Sequence, residues 1–303
     1  MAGVVVPITI EEEYKKNPDI SPEDIKKLRD WLKTQPHLPG KYLTDVDLLI
    51  VYHCCQKSME VSKQVLDLHF TLRTHFVPFF KDRCFDKKAE FAFTTVLCAP
   101  LPTPTPEGYR VVYFRLADPD PRNFNLLEAV RTFMMVFDMW QYEEGTWPGF
   151  VILIDMEKAT LGHVARLDLM VVKKVLYFLQ ECMFVKLQGV HFMNAPYFMD
   201  KLLSLIRPYL RKELMHLVNA HQTGAESIEK LIPQKALPKE AGGEYKDFDT
   251  LREELFKRLR ANTVFLRDEN RRRVNESLRP AGKPSPAEKE FGLQGSFKKL
   301  ELD

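Results

Sequence analysis

The chain has no strong excess of either charge, no long apolar run and no glycine-rich turn behind its best strands. Each absence removes a class of function. Lys and Arg number 44 against 42 Asp and Glu, a formal charge of +2. The strongly basic face that carries most nucleic-acid binding is therefore not expected, and no nucleic-acid partner is. No apolar stretch approaches the roughly 18 residues that cross a bilayer. The start, Met1-Ala-Gly-Val-Val-Val-Pro-Ile8, is too short for a signal peptide and lacks its basic region. The five cysteines, Cys54, Cys55, Cys84, Cys98 and Cys182, are odd in number and irregular in spacing. That argues for buried thiols in a reducing compartment, and hence a cytoplasmic location, over a disulfide framework.

Catalytic patterns are missing as well. There is no G-x-S-x-G, no H-E-x-x-H and no C-x-x-C, so neither a nucleophile with its base nor a metal spacing stands out. His163, His191 and His221 are far apart in sequence, though a fold could gather them; each alone reads as hydrogen-bonded structure. Asp155 ends an apolar run, where a catalytic acid often sits in an α/β sheet; capping the next segment is the simpler reading. His53-Cys54-Cys55 reads as helix packing, because adjacent cysteines do not readily share one tetrahedral zinc and no second pair exists. The expectation is no cofactor, no metal and no enzyme.

What is present centres on Gly149 to Pro196. Gly149-Phe-Val-Ile-Leu-Ile-Asp155 and Gly189-Val-His-Phe-Met-Asn194 are apolar runs of the kind that form buried parallel strands. Between them, about Leu161 to Phe184, apolar residues recur at helical spacing: Leu167, Met170, Val171, Val175, Phe178 and Leu179. The spacing predicts strand, helix, strand in a parallel sheet. No glycine-rich phosphate turn follows either strand, so the unit is not built for a nucleotide.

The first eighty residues read as helices. Ser21-Pro22-Glu23-Asp24, Thr44-Asp-Val-Asp47 and Ser58 supply three caps. Pro100-Leu-Pro-Thr-Pro-Thr-Pro106 is a stiff connector, with docking to an SH3-type domain as the alternative. It leads into a strand, Tyr109 to Leu116. Asn125 to Trp140 is helical and apolar on too many faces for a surface helix, so it either fills a core or lines an apolar ligand site. Tyr197 to Leu210 is amphipathic, with Phe198, Leu202, Leu205 and Ile206 on one stripe, and Pro208 should end or kink it. It is either a layer of the fold or a movable cover that touches a membrane. A short strand at Leu217-Val218, a helix from Ser227 to Ile232 and a helix bearing Phe248, Leu251, Leu255 and Leu259 follow. Beyond Pro280 the composition predicts poor packing, apart from a clip at Gly295 to Leu300. There are no internal repeats.

Five stretches occur in this order in one family: Leu161-Gly-His163, Gly189 to Pro196, Leu205-Ile-Arg-Pro208, Leu237-Pro-Lys-Glu-Ala-Gly-Gly243 and the tail from Phe291 to Leu300. The chain resembles CRAL-TRIO proteins of the animal branch that includes alpha-tocopherol transfer protein and cellular retinaldehyde-binding protein. Its tail resembles that of the insect members. The resemblance implies an N-terminal helical domain (1–85), an α/β lipid-binding domain (86–245) and a C-terminal helix with an extended tail (246–303). The sheet would be mostly parallel and would floor an apolar pocket closed by a gate helix, matched here by Ala195 to Met215.

Carried over by position, the pocket residues would be Phe133, Val136, Phe137, Phe150, Ile154, Val175, Phe178, Leu179, Met183, Val185, Val190, Phe198, Leu202, Leu205 and Ile206. The implied function is an intracellular carrier of a small hydrophobic lipid (a tocopherol, retinoid or carotenoid), with phospholipid or phosphoinositide transfer as the alternative. Headgroup contact would fall to Lys186, Arg207, Arg211 and Lys212 at an acidic membrane, with the protein a monomer. Gln188, Met215 and Leu217 stand where the resemblance to vertebrate tocopherol carriers implies basic residues, which weakens the phosphoinositide option.

Overall fold

Local capping signals translate directly into the helices of the first half. The computed structural model describes residues 3–280, Ser285 and Phe291; the clip at Gly295 to Leu300 lies outside the described residues. Helices α1 (Ile10–Lys16), α2 (Pro22–Lys33) and α3 (Asp45–Cys54) each begin with a reciprocal capping box, built on Thr9, Ser21 and Thr44. Ser58 caps α4 (Met59–His75), and the short α5 (Val77–Phe80) and α6 (Lys87–Thr95) complete the helical half.

The sheet has five strands in sequential order: β1 (Val96–Pro100), β2 (Arg110–Leu116), β3 (Phe150–Asp155), β4 (Leu187–Met193) and β5 (Val218–Ala220). β1 pairs antiparallel with β2, and every other pairing is parallel. Parallel neighbours need long crossovers. These are α7 (Leu126–Glu144) between β2 and β3, then α8 (Leu161–Ala165) and α9 (Leu169–Glu181) between β3 and β4, then α10 (Met199–Ile206) between β4 and β5. After β5 come α11 (Glu226–Leu231), α12 (Phe248–Ala261) and α13 (Thr263–Asp268).

Side chains alternate across the strands. Val111, Tyr113, Val151, Leu153 and Met193 face one way, into a cluster with Ile228, Ile232, Phe248 and Leu251 from α11, α12 and the turn after α11. Val112 and Ile152 face the other way and join α7 and α9 in the largest core cluster. The sheet is therefore covered on both faces, as the apolar runs require.

Several expectations are refined. The segment from Leu161 to Phe184 is two helices, because the Asp168 carboxylate accepts from the Met170 and Val171 amides at 2.8 and 3.2 Å and starts a fresh helix. α7 runs one turn past Trp140 and stops at Gly145, whose φ of 68° suits glycine. A Cβ there would stand 2.0 Å from the buried Glu13 carboxylate, so the stop and the docking of α1 are linked. β1 escapes the sequence reading because Pro100 begins a proline cluster; as an edge strand it tolerates that proline. α10 stops at Ile206 and Pro208 turns the chain into a 3₁₀ segment, as expected from the ring.

A buried charged cluster joins the helical half to α7. Asp138 receives Arg73 and Arg83, each at 2.7 Å, and Arg73 also meets Glu269 at 3.0 Å. Arg272 adds Asp47 at 2.9 Å and Glu269 at 3.2 Å. Burial alone would raise the Asp138 pKa, but the two guanidiniums hold it far below the usual carboxylate range.

Candidate ligand cavity

The apolar face of the sheet and three crossover helices do not meet completely. They leave between them a partly open cavity of about 320 Å³, within the range typical of small-molecule sites (about 300–1,000 Å³). Each wall follows from a periodicity. α7 contributes Leu126, Ala129, Val130, Phe133 and Met134, one stripe at three- and four-residue spacing. α9 contributes Val172, Val175, Leu176 and Leu179 in the same way. The floor is Phe114, Ile152, Ile154, Val190, Phe192 and Val218, all on one face of four strands. Leu202 and Ile206 from α10, with Leu210 one turn further, form the last wall.

Of the expected pocket residues, the structure brings Phe133, Ile154, Val175, Leu179, Val190, Leu202 and Ile206 to this cavity. Phe137 and Phe178 lie against a second, more polar cavity of about 250 Å³ between α7 and the helical half. Val136, Phe150 and Met183 are buried in the main core, with Val185 packed at its edge. Phe198 is buried beneath α10 beside Met199 and Phe192, and Leu205 packs on that cluster. Sequence reasoning missed Phe114, Ile152, Leu176, Phe192 and Leu210. Ile152 was legible from Ile154 by strand alternation; Phe114 required the pairing of β2 with β3, which sets it opposite Ile154.

Arg115, Asp155, Thr160 and His163 border the cavity, which nonetheless exposes almost no polar surface. Asp155 is a hub: its Oδ2 accepts from Tyr113 Oη at 2.7 Å and Arg115 Nη1 at 2.9 Å, and its Oδ1 from Asn194 Nδ2 at 2.8 Å and the Glu157 amide at 3.0 Å. With four donors it holds the carboxyl edge of the sheet together, and the cap expected of it is one bond among them. Burial first, and the Asp155 charge second, push the Tyr113 hydroxyl far above its ordinary pKa. His163 also lines the cavity; its Nδ1 lies 3.1 Å from the Thr160 amide and 2.9 Å from Thr160 Oγ1. His191 and His221 do come together, Nδ1 to Nε2 at 2.9 Å, and His221 reaches Ser227 at 2.7 Å. Burial lowers the His191 pKa to about 4. His53 bonds Asn17 at 2.8 Å and the Trp147 carbonyl at 3.2 Å.

The α10 wall is held at both ends. Asn194 takes a left-handed φ of 53° before it, pinned by Asp155. Beyond it, Gln180 on α9 donates to the Tyr209 carbonyl at 3.0 Å and accepts the Arg211 amide at 2.8 Å. Arg207 and Lys212 are exposed on this segment, and Arg211 pairs with Glu181 at 3.1 Å. Lys186 is half-buried at the opposite end of β4 from Asn194. Burial lowers the His53 pKa, and the Lys186 charge adds to that. Among the described residues no helix is long and apolar enough to cross a membrane.

Comparison with known proteins agrees with this architecture. Residues 95–243 match the CRAL/TRIO domain model, and residues 17–89 match the model described as Pinta-like, UBA domain. Alpha-tocopherol transfer protein-like from Homo sapiens is 26% identical over 243 residues, 79% of this chain and 70% of that protein. Clavesin-2 from Rattus norvegicus is 24% identical over 249 residues, 80% of this chain and 76% of that protein. A solved structure, Crystal structure of Sfh5, superposes with a TM-score of 0.45 at 12% identity over 77% of this chain and 92% of that one. Residues 95–243, wrapped around an apolar cavity, carry a CRAL/TRIO domain, the domain of a lipid-binding and transfer family.

Proposed function

We propose that this protein is a non-catalytic carrier that holds one small isoprenoid-type lipid, a tocopherol, retinoid or carotenoid, and exchanges it at membranes by movement of α10. The observation that carries the reading is the cavity itself, walled by aliphatic and aromatic side chains from the sheet, α7, α9 and α10. Burying about 300 Å² of lipid surface at ~25 cal/mol per Å² contributes roughly 7 kcal/mol before ordering costs. The name of one relative, alpha-tocopherol transfer protein-like, points the same way. Asp155 supports a binding role over a catalytic one, since its oxygens are already engaged.

α10 is the natural door. It is eight residues long, lies between a left-handed Asn194 and Pro208, and buries only Met199 and Leu202 fully. Apolar side chains project to solvent from it and its neighbours: Tyr197, 88% exposed, and Leu161, Leu169, Met170 and Met215. With Arg207 and Lys212 alongside, that surface suits transient contact with an acidic bilayer. Arg211, tied to Glu181, would join once the segment lifts. Lys186 would add charge from the far end of β4. The protein would act as a monomer.

Native extraction followed by mass spectrometry tests the reading. A stoichiometric isoprenoid is the expected result, and a bound phospholipid would replace it with phospholipid transfer. A protein that is empty and refuses both classes would overturn carriage altogether. Transfer to vesicles containing phosphatidylserine should fall several-fold in Arg207→Glu/Lys212→Glu, while transfer to neutral vesicles should not.

A further inference from the structure

Two cavities lie one after the other along α7, and one side chain is common to both. The sheet cavity of about 320 Å³ takes Leu126, Ala129, Val130, Phe133 and Met134 from this helix. The second cavity, about 250 Å³, takes Met134, Phe137, Asp138, Gln141 and Tyr142. Both sets recur at three- and four-residue spacing, so they are successive stretches of one helix surface. Among the described residues Met134 alone lines both cavities. On α9 the division falls between neighbours, with Leu179 on the first cavity and Phe178 on the second.

Met134 suits a partition that can give way. Its carbonyl accepts from the buried Arg83 guanidinium at 3.1 Å, which holds the backbone and leaves the side chain as the adjustable part. A methionine side chain is unbranched, turns about three bonds and adapts to irregular gaps. Beyond it, the second cavity is walled by Phe137, Phe178 and Phe184, with Val46 and Ile50 facing them from α3. Charge beside a hydrocarbon is costly when it is unpaired. Here Asp138 and Glu269 meet Arg73, and Asp47 and Glu269 meet Arg272, so the charged side of this cavity is compensated before any ligand arrives.

We infer that the two cavities form one extended ligand site across Met134, and that the cargo is an isoprenoid long enough to run from the sheet past Met134 into the seam with the helical half. The helix sets the scale. At 1.5 Å per residue, the sheet cavity follows α7 for about 12 Å, from Leu126 to Met134, and the two together follow it for about 24 Å, to Tyr142. A short terpenoid is held by the first cavity alone. A longer one gains contacts only where Met134 moves aside, which makes Met134 the residue that sets chain length. This rests on the carrier reading above and narrows it.

A prenol series tests it with the full chain: geraniol, farnesol, geranylgeraniol and geranylfarnesol, each longer than the last by one isoprene unit. Wild-type affinity should rise by about tenfold with each unit to the end of the series, as further hydrocarbon is buried. Met134→Trp should leave geraniol binding in place and cancel the gain of the longest members. Val46→Trp should do the same, because it fills the second cavity from α3 and does not line the sheet cavity. Met134→Ala should strengthen the longest members relative to geraniol, and thermal melting identifies which variants are folded. Gains that persist through both tryptophan variants overturn the extended site, and so does a wild-type plateau that Met134→Ala does not lift; either result leaves the carrier standing. Failure of the wild type to bind any of the four prenols overturns both.

Discussion

At the scale of single residues, the cavity separates side chains that line a void from side chains that fill the core, although their chemistry is the same. Ala129 and Phe150 illustrate it. Ala129 lies on the cavity stripe of α7, whereas Phe150 is fully buried against Phe137, Trp140 and Trp147. Ala129→Phe adds a ring into space that is already open. It should weaken lipid binding at least tenfold while shifting the unfolding midpoint little, checked by ligand titration and thermal melting. Phe150→Ala removes a ring from a packed cluster and should destabilise the fold by about 3–5 kcal/mol in denaturant titration. Its effect on affinity should be small once it is measured on the folded fraction.

At the scale of elements, α10 is held in place by few bonds. Its apolar stripe, Leu202 and Ile206, packs on Phe192, Phe198 and Met199 but also borders the void, so the wall loses some of the contacts that a core helix would have. The Gln180 side chain compensates with two hydrogen bonds to the far end of the segment. Gln180→Leu keeps the volume and deletes both. Ligand exchange measured by stopped-flow transfer between donor and acceptor vesicles should speed up by about five- to tenfold, corresponding to roughly 1–1.5 kcal/mol for the lost bonds. An unchanged exchange rate would mean that opening does not pass through this end. The sequence made the stripe of α10 legible but not the latch. Glutamine in a helix carries no signal of its own, and the partner is a backbone amide 31 residues away. The split between α8 and α9 was hidden for a related reason. Asp168 is a good cap, but the apolar periodicity runs on through it.

At the scale of the whole molecule, acid should loosen this protein. Burial lowers the pKa of His69 to about 3 and of His191 to about 4, and lowers His53 and His221 as well. The unfolded chain, with histidines near 6.5, then binds more protons than the folded one as pH drops below that value. Stability therefore falls from pH 6.5 towards pH 4, by up to about 1.4 kcal/mol per histidine for each pH unit. The melting temperature should drop between pH 7 and pH 5, and His69→Phe should flatten that slope. His69 sits between α4 and α9, bonded to the Cys182 carbonyl at 2.7 Å and stacked on Phe184 at 3.8 Å. Acidification would therefore weaken the seam joining the helical half to the sheet layer.

Most of the architecture was determined by the sequence alone. Local rules act over three to eight residues, so the caps at Thr44 and Ser58, the strands at Phe150 and Gly189, and the amphipathic α10 could be read without a partner in sight. The resemblance through five ordered motifs pointed to the CRAL-TRIO family, whose domain model matches residues 95–243. What only the tertiary structure decided is which apolar residues touch one another and which face empty space. Phe133 and Val136 lie three residues apart on one helix, yet one lines the cavity and the other is packed in the core. Hydrophobicity records only that a side chain leaves water. Whether it then meets another side chain or a void depends on the separation of the sheet from α7, α9 and α10, which no single segment encodes.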